Sequence, residues 1–450
     1  MGKAMDENTK RLLTTGERLI AAARKAGADA ADAAVVRSLG RSVQVRLGKI
    51  EDTESAESED LALRVFVGQR VATVSADVHA DVDRLAERAV AMAKVSPEDR
   101  FASLAPKNRL APNDGLDLDL YDPTTLSSQT MVAEALALEE AARAVKGVSN
   151  SGGASVSAGA SGLILVTSDG FVGEKMRSGF SRSVSVIAGE GTAMERDYDF
   201  DSRIHYADLD PVEAIGRRAG ERTVKRLDAG KVSTGSYPIV FDPRVARGLF
   251  GSVIGAINGA AIARKTSFLK DRMGEKILPA GVTILDEPLL KRRPGSRPFD
   301  GEGVRGETLR LVEDGVLQSW ILDTATAKEL GLETNGRGAR TAGGVSPSSS
   351  NVAVSPGRLS PQELIAETKS GIYVHELIGQ GVNLVTGDYS RGATGYLIEN
   401  GELTRPVSEF TIAGNLKEIL LGLTLANDLD TRFSLVAPTL RLERMTVAGH

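Results

Sequence analysis

Imidazoles, thiols and paired carboxylates are the usual raw material of protein catalysis and metal binding, and this 450-residue chain is poor in the first two. It has no cysteine and four histidines, His79, His205, His375 and His450. A disulfide framework, a zinc ribbon, a cysteine nucleophile and a thiolate metal ligand are therefore excluded together. His375-Glu376 begins like a zinc-peptidase motif, in which one helix places His, Glu and a second His on a single face to hold the metal and activate water. The second His is missing: Gly379 stands at the HExxH position and Gln380 at the HExxxH position. Gly371–Leu377 alternates like a strand and runs into a glycine loop, so His375 is expected at a strand end without a metal. A Ser/His/Asp triad is compatible with the composition, but no Gly-x-Ser-x-Gly elbow is present. Asp197, Asp199 and Asp201 alternate in a polar run that lacks the glycine and distal glutamate of a calcium loop, and they read as a turn.

The remaining chemistry lies in Gly379–Gly395. Asp388 and Arg391 are spaced to pair across a turn, and a glycine-rich loop can present backbone N–H groups to a peptide or an anion. Gly379, Gly381, Asp388, Ser390, Arg391 and Gly392 are accordingly the candidate substrate- or partner-binding residues; no catalytic or metal-binding residue is assigned. Lys291, Arg292, Arg293 and Arg297 in Leu289–Arg297 read as a solvated basic loop, with docking of an acidic partner as the alternative.

The elements that must carry these residues follow from length and periodicity. At about 150 residues per domain the length allows about three domains. The 48 glycines and the low aromatic content, 4%, favour tight turns and hairpins. The fold class is α+β: two hairpin-plus-helix units followed by a large, mainly antiparallel β-rich domain. The expected division is an N-terminal domain over 1–96, a Pro-rich linker over 97–123, a middle domain over 124–229 and a β-rich domain over 236–450. In the first, Val43, Val45 and Leu47 alternate, Leu61–Val67 and Arg70–Ala76 flank a Gly68-Gln69 turn, and Val82, Leu85, Ala89 and Ala93 recur at helical spacing. In the second, Met131, Ala135, Leu138, Ala142 and Val145 share a helix face, strands break at Ser168-Asp169-Gly170, and a helix runs from Pro211 to about Leu227. In the third, Asp314-Gly315 and Asn400-Gly401 supply the positive φ angles of two-residue hairpin turns. Asp242-Pro243 caps a strong helix, whose Gly251, Gly255 and Gly259 are placed for close packing.

Charge and hydropathy exclude further classes. With 55 Lys+Arg, 60 Asp+Glu and a formal charge of −5, no block of like charge suits a duplex-coating protein. Met1–Lys25 lacks a signal-peptide apolar core, so a cytoplasmic location is expected. Gly248–Ala263 is shorter than the ~20 residues of a membrane span and reads as a buried helix.

The run ELIGQGVNLVTGDYSRGATG over Glu376–Gly395, followed by IENGEL, TIAGNL over Thr411–Leu416 and the ending ERMTVAG, resembles the hallmark of the TldE/PmbA family. Arg272-Met273-Gly274 and the Ala342-Gly343-Gly344 loop extend the likeness over most of the chain. The resemblance implies a cytoplasmic heterodimer with a TldD-like subunit, forming a zinc metallopeptidase that admits unfolded peptides to an internal cavity. It links such pairs to peptide-antibiotic maturation and antitoxin breakdown, and carries the older name modulator of DNA gyrase. In TldD an HExxxH helix and a distant cysteine hold the metal. The corresponding helix here begins at Asp242 and has no His, Glu, Asp or Cys from Pro243 to Ala263. The resemblance thus implies the subunit without a metal site: no cofactor in this chain, zinc in the TldD partner, unfolded peptide as substrate, a homodimer possible alone, and no membrane or direct nucleic-acid contact. A stand-alone metallopeptidase using His375 and Glu376, and an interaction protein modulating gyrase, are the alternatives.

Overall fold

A computed structural model describes residues 2–341, 343–379 and 381–450, with side chains from Thr9 onward; Ala342 and Gln380, singled out above, lie outside these residues. The N-terminal body runs α1 (Gly2–Ala26), β1 (Ala30–Arg46), β2 (Lys49–Val67), β3 (Arg70–Asp77), α2 (Val82–Val95), α3 (Ser128–Arg143), β4 (Val148–Thr167), β5 (Val172–Ala188), β6 (Glu195–Arg203) and α4 (Val212–Val224). Its strands form one antiparallel sheet in the order β3-β2-β1-β4-β5-β6, so the two hairpin-plus-helix units are joined edge to edge through β1 and β4.

Strand alternation divides that sheet cleanly. Ala31, Ala33 and Val35 of β1 pack with α1 and α2, and Val43 and Val45, farther along the same side, pack with α3 and α4. Asp32 and Ala34 face the other way, where Ala34 and Leu165 meet Phe171 and Phe299. Leu47 departs from the expected alternation: it lies in the β1–β2 turn with φ 51° and is exposed. Val145 lies just past α3, whose last residue is Arg143.

The C-terminal body begins with β7 (Gly235–Phe241) and α5 (Pro243–Ala256) and continues through β8 (Ile284–Asp286), β9 (Leu309–Glu313), β10 (Val316–Leu317), β11 (Gly338–Thr341), β12 (Gly344–Pro347), β13 (Val352–Val354), β14 (Ser370–Ile378), β15 (Asp388–Glu399), β16 (Glu402–Asn415), β17 (Leu423–Leu425), β18 (Leu435–Val436) and β19 (Leu440–Ala448). One sheet runs β16-β15-β14-β7-β19-β17, and β16 also pairs with β19, so the sheet closes on itself. A second runs β10-β9-β8-β13-β18. The interior combines strand residues such as Ile239, Phe241, Val374 and Ile412 with Val245, Leu249, Phe250 and Val253 of α5. Both hairpin turns take the positive φ angles their sequences allow, 51° and 79° at Asp314-Gly315 and 55° and 82° at Asn400-Gly401. The apolar run from Gly248 is not one helix: α5 ends at Ala256, and Asn258 caps a separate turn over Gly259–Ala263. Among the described residues no helix is long and apolar enough to cross a membrane.

Charged side chains lock the two bodies together. Asp197, Asp199 and Asp201 are not a turn; they sit on edge strand β6, share one side and are buried. Asp199 accepts from Arg218 Nε and Arg222 Nη1, both at 2.7 Å, while Arg226 Nη1 and Arg244 Nη1 lie 3.5 and 3.2 Å from Asp197. Arg432 Nη1 lies 3.5 Å from Asp201. Arg226 Nη2 also reaches Glu376 of β14 at 2.6 Å, which ties the edge strand to the C-terminal sheet. A second node lies on the face opposite the helices, where Asp32 pairs with Arg64 at 2.6 Å and Arg340 at 2.7 Å, and Arg64 Nη2 lies 3.5 Å from Glu302. Burial alone would raise the Asp32 carboxyl, but the two guanidinium groups hold it below the ordinary range. Glu302 goes the other way, pushed up to about 7 by burial against the pull of Arg64, with Asp300 adding to the rise. The basic stretch 289–297 is solvated only in part: Lys291 and Arg292 are exposed, with Arg292 pairing with Asp119 and Asp208, whereas Arg293 donates to the Phe433 carbonyl and Arg297 to that of Ser348.

Removing one partner of a buried ion pair leaves an uncompensated charge and costs about 3–5 kcal/mol. Arg226→Met takes a cation from Glu195, Glu376 and Asp197, the last of which keeps Arg244. Because Glu195 and Glu376 are partly exposed, a loss at or below the lower end of that range is expected in urea unfolding, and an unchanged midpoint would show that the node adds nothing. For Glu302 the folded state binds its proton more tightly than the unfolded chain does. Its contribution is full below about pH 4.5 and is lost as pH rises through about 7. The stability of the parent relative to Glu302→Gln should therefore fall between pH 5 and pH 8 in paired unfolding curves, and a constant difference would contradict it.

Candidate functional site

Beside α5 lies a polar cleft of about 220 Å³ lined by Asp197 and Tyr198 of β6, Arg244, Val245 and Gly248 of α5, His375, Glu376 and Leu377 of β14, and Arg391 of β15. The first turn of α5 forms here because Asp242 accepts from Arg244 N at 2.8 Å, Pro243 follows at the first helical position, and Tyr373 Oη of β14 donates to Asp242 at 2.7 Å. The core side of the helix carries Val245, Ala246, Leu249, Phe250 and Val253. Its other side presents Arg244, Gly248, Ser252 and Gly255.

Those glycines do not make the close approach expected of them. No atom lies within 4 Å of a Cβ built on Gly248, and Gly251 and Gly255 would meet only Leu435 at 3.7 Å and Leu384 at 3.4 Å. Gly259 does pack tightly, since an added Cβ would stand 2.8 Å from the Ile321 carbonyl, but it belongs to the next helical turn. The Ser252 hydroxyl is turned back to the Gly248 carbonyl at 3.2 Å. The open side of α5 is thus a notch without a metal-binding side chain.

His375 sits inside β14 on a bulge, between the pairs Val374–Gly395 and Glu376–Thr394. The residue is 9% exposed, and its ring lies 5.1 Å from the Tyr396 ring. Neither ring nitrogen has a hydrogen-bond partner among the described residues. Burial, followed by the charge of Arg226, pushes the imidazole down to about 4, so at neutral pH it offers one donor and one acceptor. Glu376 is spent on Arg226. No group of three or more His, Cys, Asp or Glu among the described residues is gathered where it can hold a metal ion. The donor set around His375 therefore does not fit a zinc ion.

The six candidates in 379–395 fall into two groups. The loop is shorter than expected, because β15 already begins at Asp388. Asp388 does not pair with Arg391; it bonds to Thr386 Oγ1 and Asn415 Nδ2, since residues three apart on a strand point to opposite sides. Asp388 and Ser390 face solvent, whereas Arg391 turns toward the cleft. The loop's own amides are largely used: Asn383 N donates to Asp388 O at 2.8 Å, Gly387 N to Asn383 O at 2.8 Å, and Ser390 N to Gly381 O at 2.7 Å. Gly381 leaves no room for a Cβ, which would stand 1.5 Å from the Ser390 carbonyl, while Gly379 takes φ 81° and Gly392 has ordinary space. Arg391 is the one candidate that meets the cleft, and it forms no ion pair among the described residues. Arg244 and Asp197 were not singled out for the site. Their signal was the alternation of three aspartates together with Arg218, Arg222 and Arg226 spaced four apart.

Comparison with known proteins agrees with this architecture across the chain. Three models of the PmbA/TldA metallopeptidase match in succession: domain 1 over residues 31–93, the central domain over 121–227 and the C-terminal domain over 234–449. The metalloprotease PmbA of Escherichia coli O157:H7 is 37% identical over 94% of this chain and 92% of its own length. A candidate modulator of DNA gyrase from Bacteroides thetaiotaomicron superposes with a TM-score of 0.90 at 30% identity, covering 99% of both chains. TldE from Thermococcus kodakarensis superposes with a TM-score of 0.83 at 25% identity, covering 97% of this chain and all of that one. Matched from end to end in sequence and in fold, the chain belongs to the PmbA/TldD metallopeptidase family.

Proposed function

We propose that this chain is the subunit without a metal site of a cytoplasmic two-chain zinc peptidase, paired with a TldD-like subunit that carries the zinc and acting on unfolded peptides. The observation that carries this reading is the open side of α5. There the helix presents Gly248, Ser252 and Gly255, and the neighbouring His375 stands on a strand with carboxylates already committed to arginines. A metallopeptidase helix needs His and Glu side chains on one face to hold the metal and activate water. No hydrolytic step is routed through residues of this chain.

What the chain contributes is binding. A peptidase that accepts many unfolded sequences gains most from contacts that ignore side-chain identity, chiefly main-chain hydrogen bonds. With both His375 ring nitrogens buried, the contact falls to Arg391, whose guanidinium lines the cleft without an ion pair among the described residues and suits a peptide carbonyl or a terminal carboxylate. Gly379, Gly381, Asp388, Ser390 and Gly392 shape the loop that backs Arg391. Substrates of the class met in peptide-antibiotic maturation or antitoxin breakdown, as the family resemblance implies, are compatible with such a site.

Peptide cleavage by this chain alone, by a TldD-like chain alone and by the two mixed tests the reading. Activity is expected only in the mixture, and a metal chelator should abolish it. Arg391→Ala should lower cleavage by the pair about tenfold, the worth of one charge-assisted contact, with zinc content unchanged. Cleavage by this chain alone, accompanied by zinc that survives dialysis and is lost in His375→Ala, would overturn the proposal in favour of a stand-alone metallopeptidase.

A further inference from the structure

Away from α5, a second cleft of about 390 Å³ opens between the two bodies. Lys175 and Arg177 of β5 enter it from the N-terminal sheet, and Arg297 enters from the C-terminal body. Among the described residues none of the three forms an ion pair with a carboxylate. Arg177 donates to the carbonyls of Pro294 and Ser296, and Arg297 Nη2 donates to the Ser348 carbonyl at 2.9 Å. Arg297 Nε is buried without a partner. The Lys175 ammonium has no hydrogen bond and lies 5.3 Å from the Phe299 ring.

The carboxylates closest in influence are committed elsewhere. Asp300 accepts from the amides of Glu302, Val304 and Gly338. Asp286 is held by Arg337 and Ser350. Burial, then the charges of Arg297 and Arg177, push Lys175 down to about 8 despite the opposing pull of Asp300. Cations withdrawn from water without counter-charges raise the energy of the fold, so an arrangement of this kind is stable chiefly when an anion joins it.

We propose that this cleft binds a phosphate-type dianion, either inorganic phosphate or the phosphate of an ester, between Lys175, Arg177 and Arg297. Ser161, Ser349 and Ser434 line the same space. A tetrahedral dianion accepts hydrogen bonds in four directions and matches donors arriving from both bodies. A carboxylate, with two oxygens in one plane, is better served by a single guanidinium fork. The bound ion would clamp the N-terminal sheet onto the C-terminal body and raise stability by mass action.

The test is calorimetric titration and thermal unfolding of the full chain with sodium phosphate, against sodium chloride at equal ionic strength. Saturable one-to-one binding and a rise in Tm specific to phosphate are expected. Lys175→Met and Arg297→Met should each weaken binding about tenfold, the worth of one charged contact. A phosphate effect no larger than that of chloride, or parent-like binding by folded Lys175→Met, would overturn the proposal. Should that variant fail to fold, the Lys175 amine of the parent is titrated by NMR after isotopic labelling: its pKa should rise with phosphate, and an unmoved value overturns the site. Glycerol phosphate distinguishes the sources, since binding of both ligands assigns the cleft to esters and binding of inorganic phosphate alone assigns it to the free ion; either supports the site.

Discussion

Much of this structure depends on a match of spacing between one strand and one helix. Alternate residues of β6 place Asp197, Asp199 and Asp201 on one side about 6.6 Å apart. Residues four apart within and just beyond α4 place Arg218, Arg222 and Arg226 about 6 Å apart. The two rows therefore run in step, and the same carboxylates accept Arg244 from α5 and Arg432 from the C-terminal body. An edge strand with free backbone groups is a standing invitation to wrong pairing, and inward charges are one way proteins blunt it. Here the charges do more. They fix the end of the sheet against α4, and through Arg226 they fix Glu376 and the strand bearing His375.

The same alternation governs the rest of the N-terminal sheet. On β1 Ala31, Ala33, Val35, Val43 and Val45 pack under four helices, while Asp32 and Ala34 meet the other body. A slip of one residue would bury Asp32 and Arg64 under helices and expose Val35, so register is specified strongly along strands of up to 20 residues. The charged side of the sheet is tolerable only because the second body supplies partners. Arg340 serves Asp32 directly, whereas Glu302 is held largely by burial, which is why the two carboxyls shift in opposite directions.

What sequence reasoning could reach follows from this division. Hairpins with Asp-Gly or Asn-Gly turns, helices with one apolar face and the Asp242-Pro243 cap are set by local chemistry, and they form where that chemistry places them. The aspartates of β6 were misread because three charges in a polar run resemble a loop until arginines distant in sequence are brought against them. In the basic stretch 289–297 the exposure of Lys291 and Arg292 was legible, but the partners of its arginines, Asp119, Asp208 and Phe433, were not, since they are 84 or more residues away. At the candidate site, the strand setting of His375 was legible from alternation. The cleft was not, because Arg244, Asp197 and Arg391 meet only after both bodies dock. Asp388 and Arg391 show the remaining weakness: a spacing that suits a turn gives opposite sides once the segment is a strand.

The two sides of α5 carry different tasks. Folding uses Val245, Ala246, Leu249, Phe250 and Val253, all buried, and the cap at Asp242. None of these lies on the side that carries Gly248, Ser252 and Gly255. Side chains on that second side contribute little to the core, so substitutions there are expected to change stability little. Glycine at these positions lowers helix propensity by about 1 kcal/mol each relative to alanine. Near-zero contact around Gly248 shows that packing does not require it. The cost is instead consistent with a helix side kept low so that another chain can approach it, which is the arrangement expected if the metal, and the reacting peptide, are delivered from a partner.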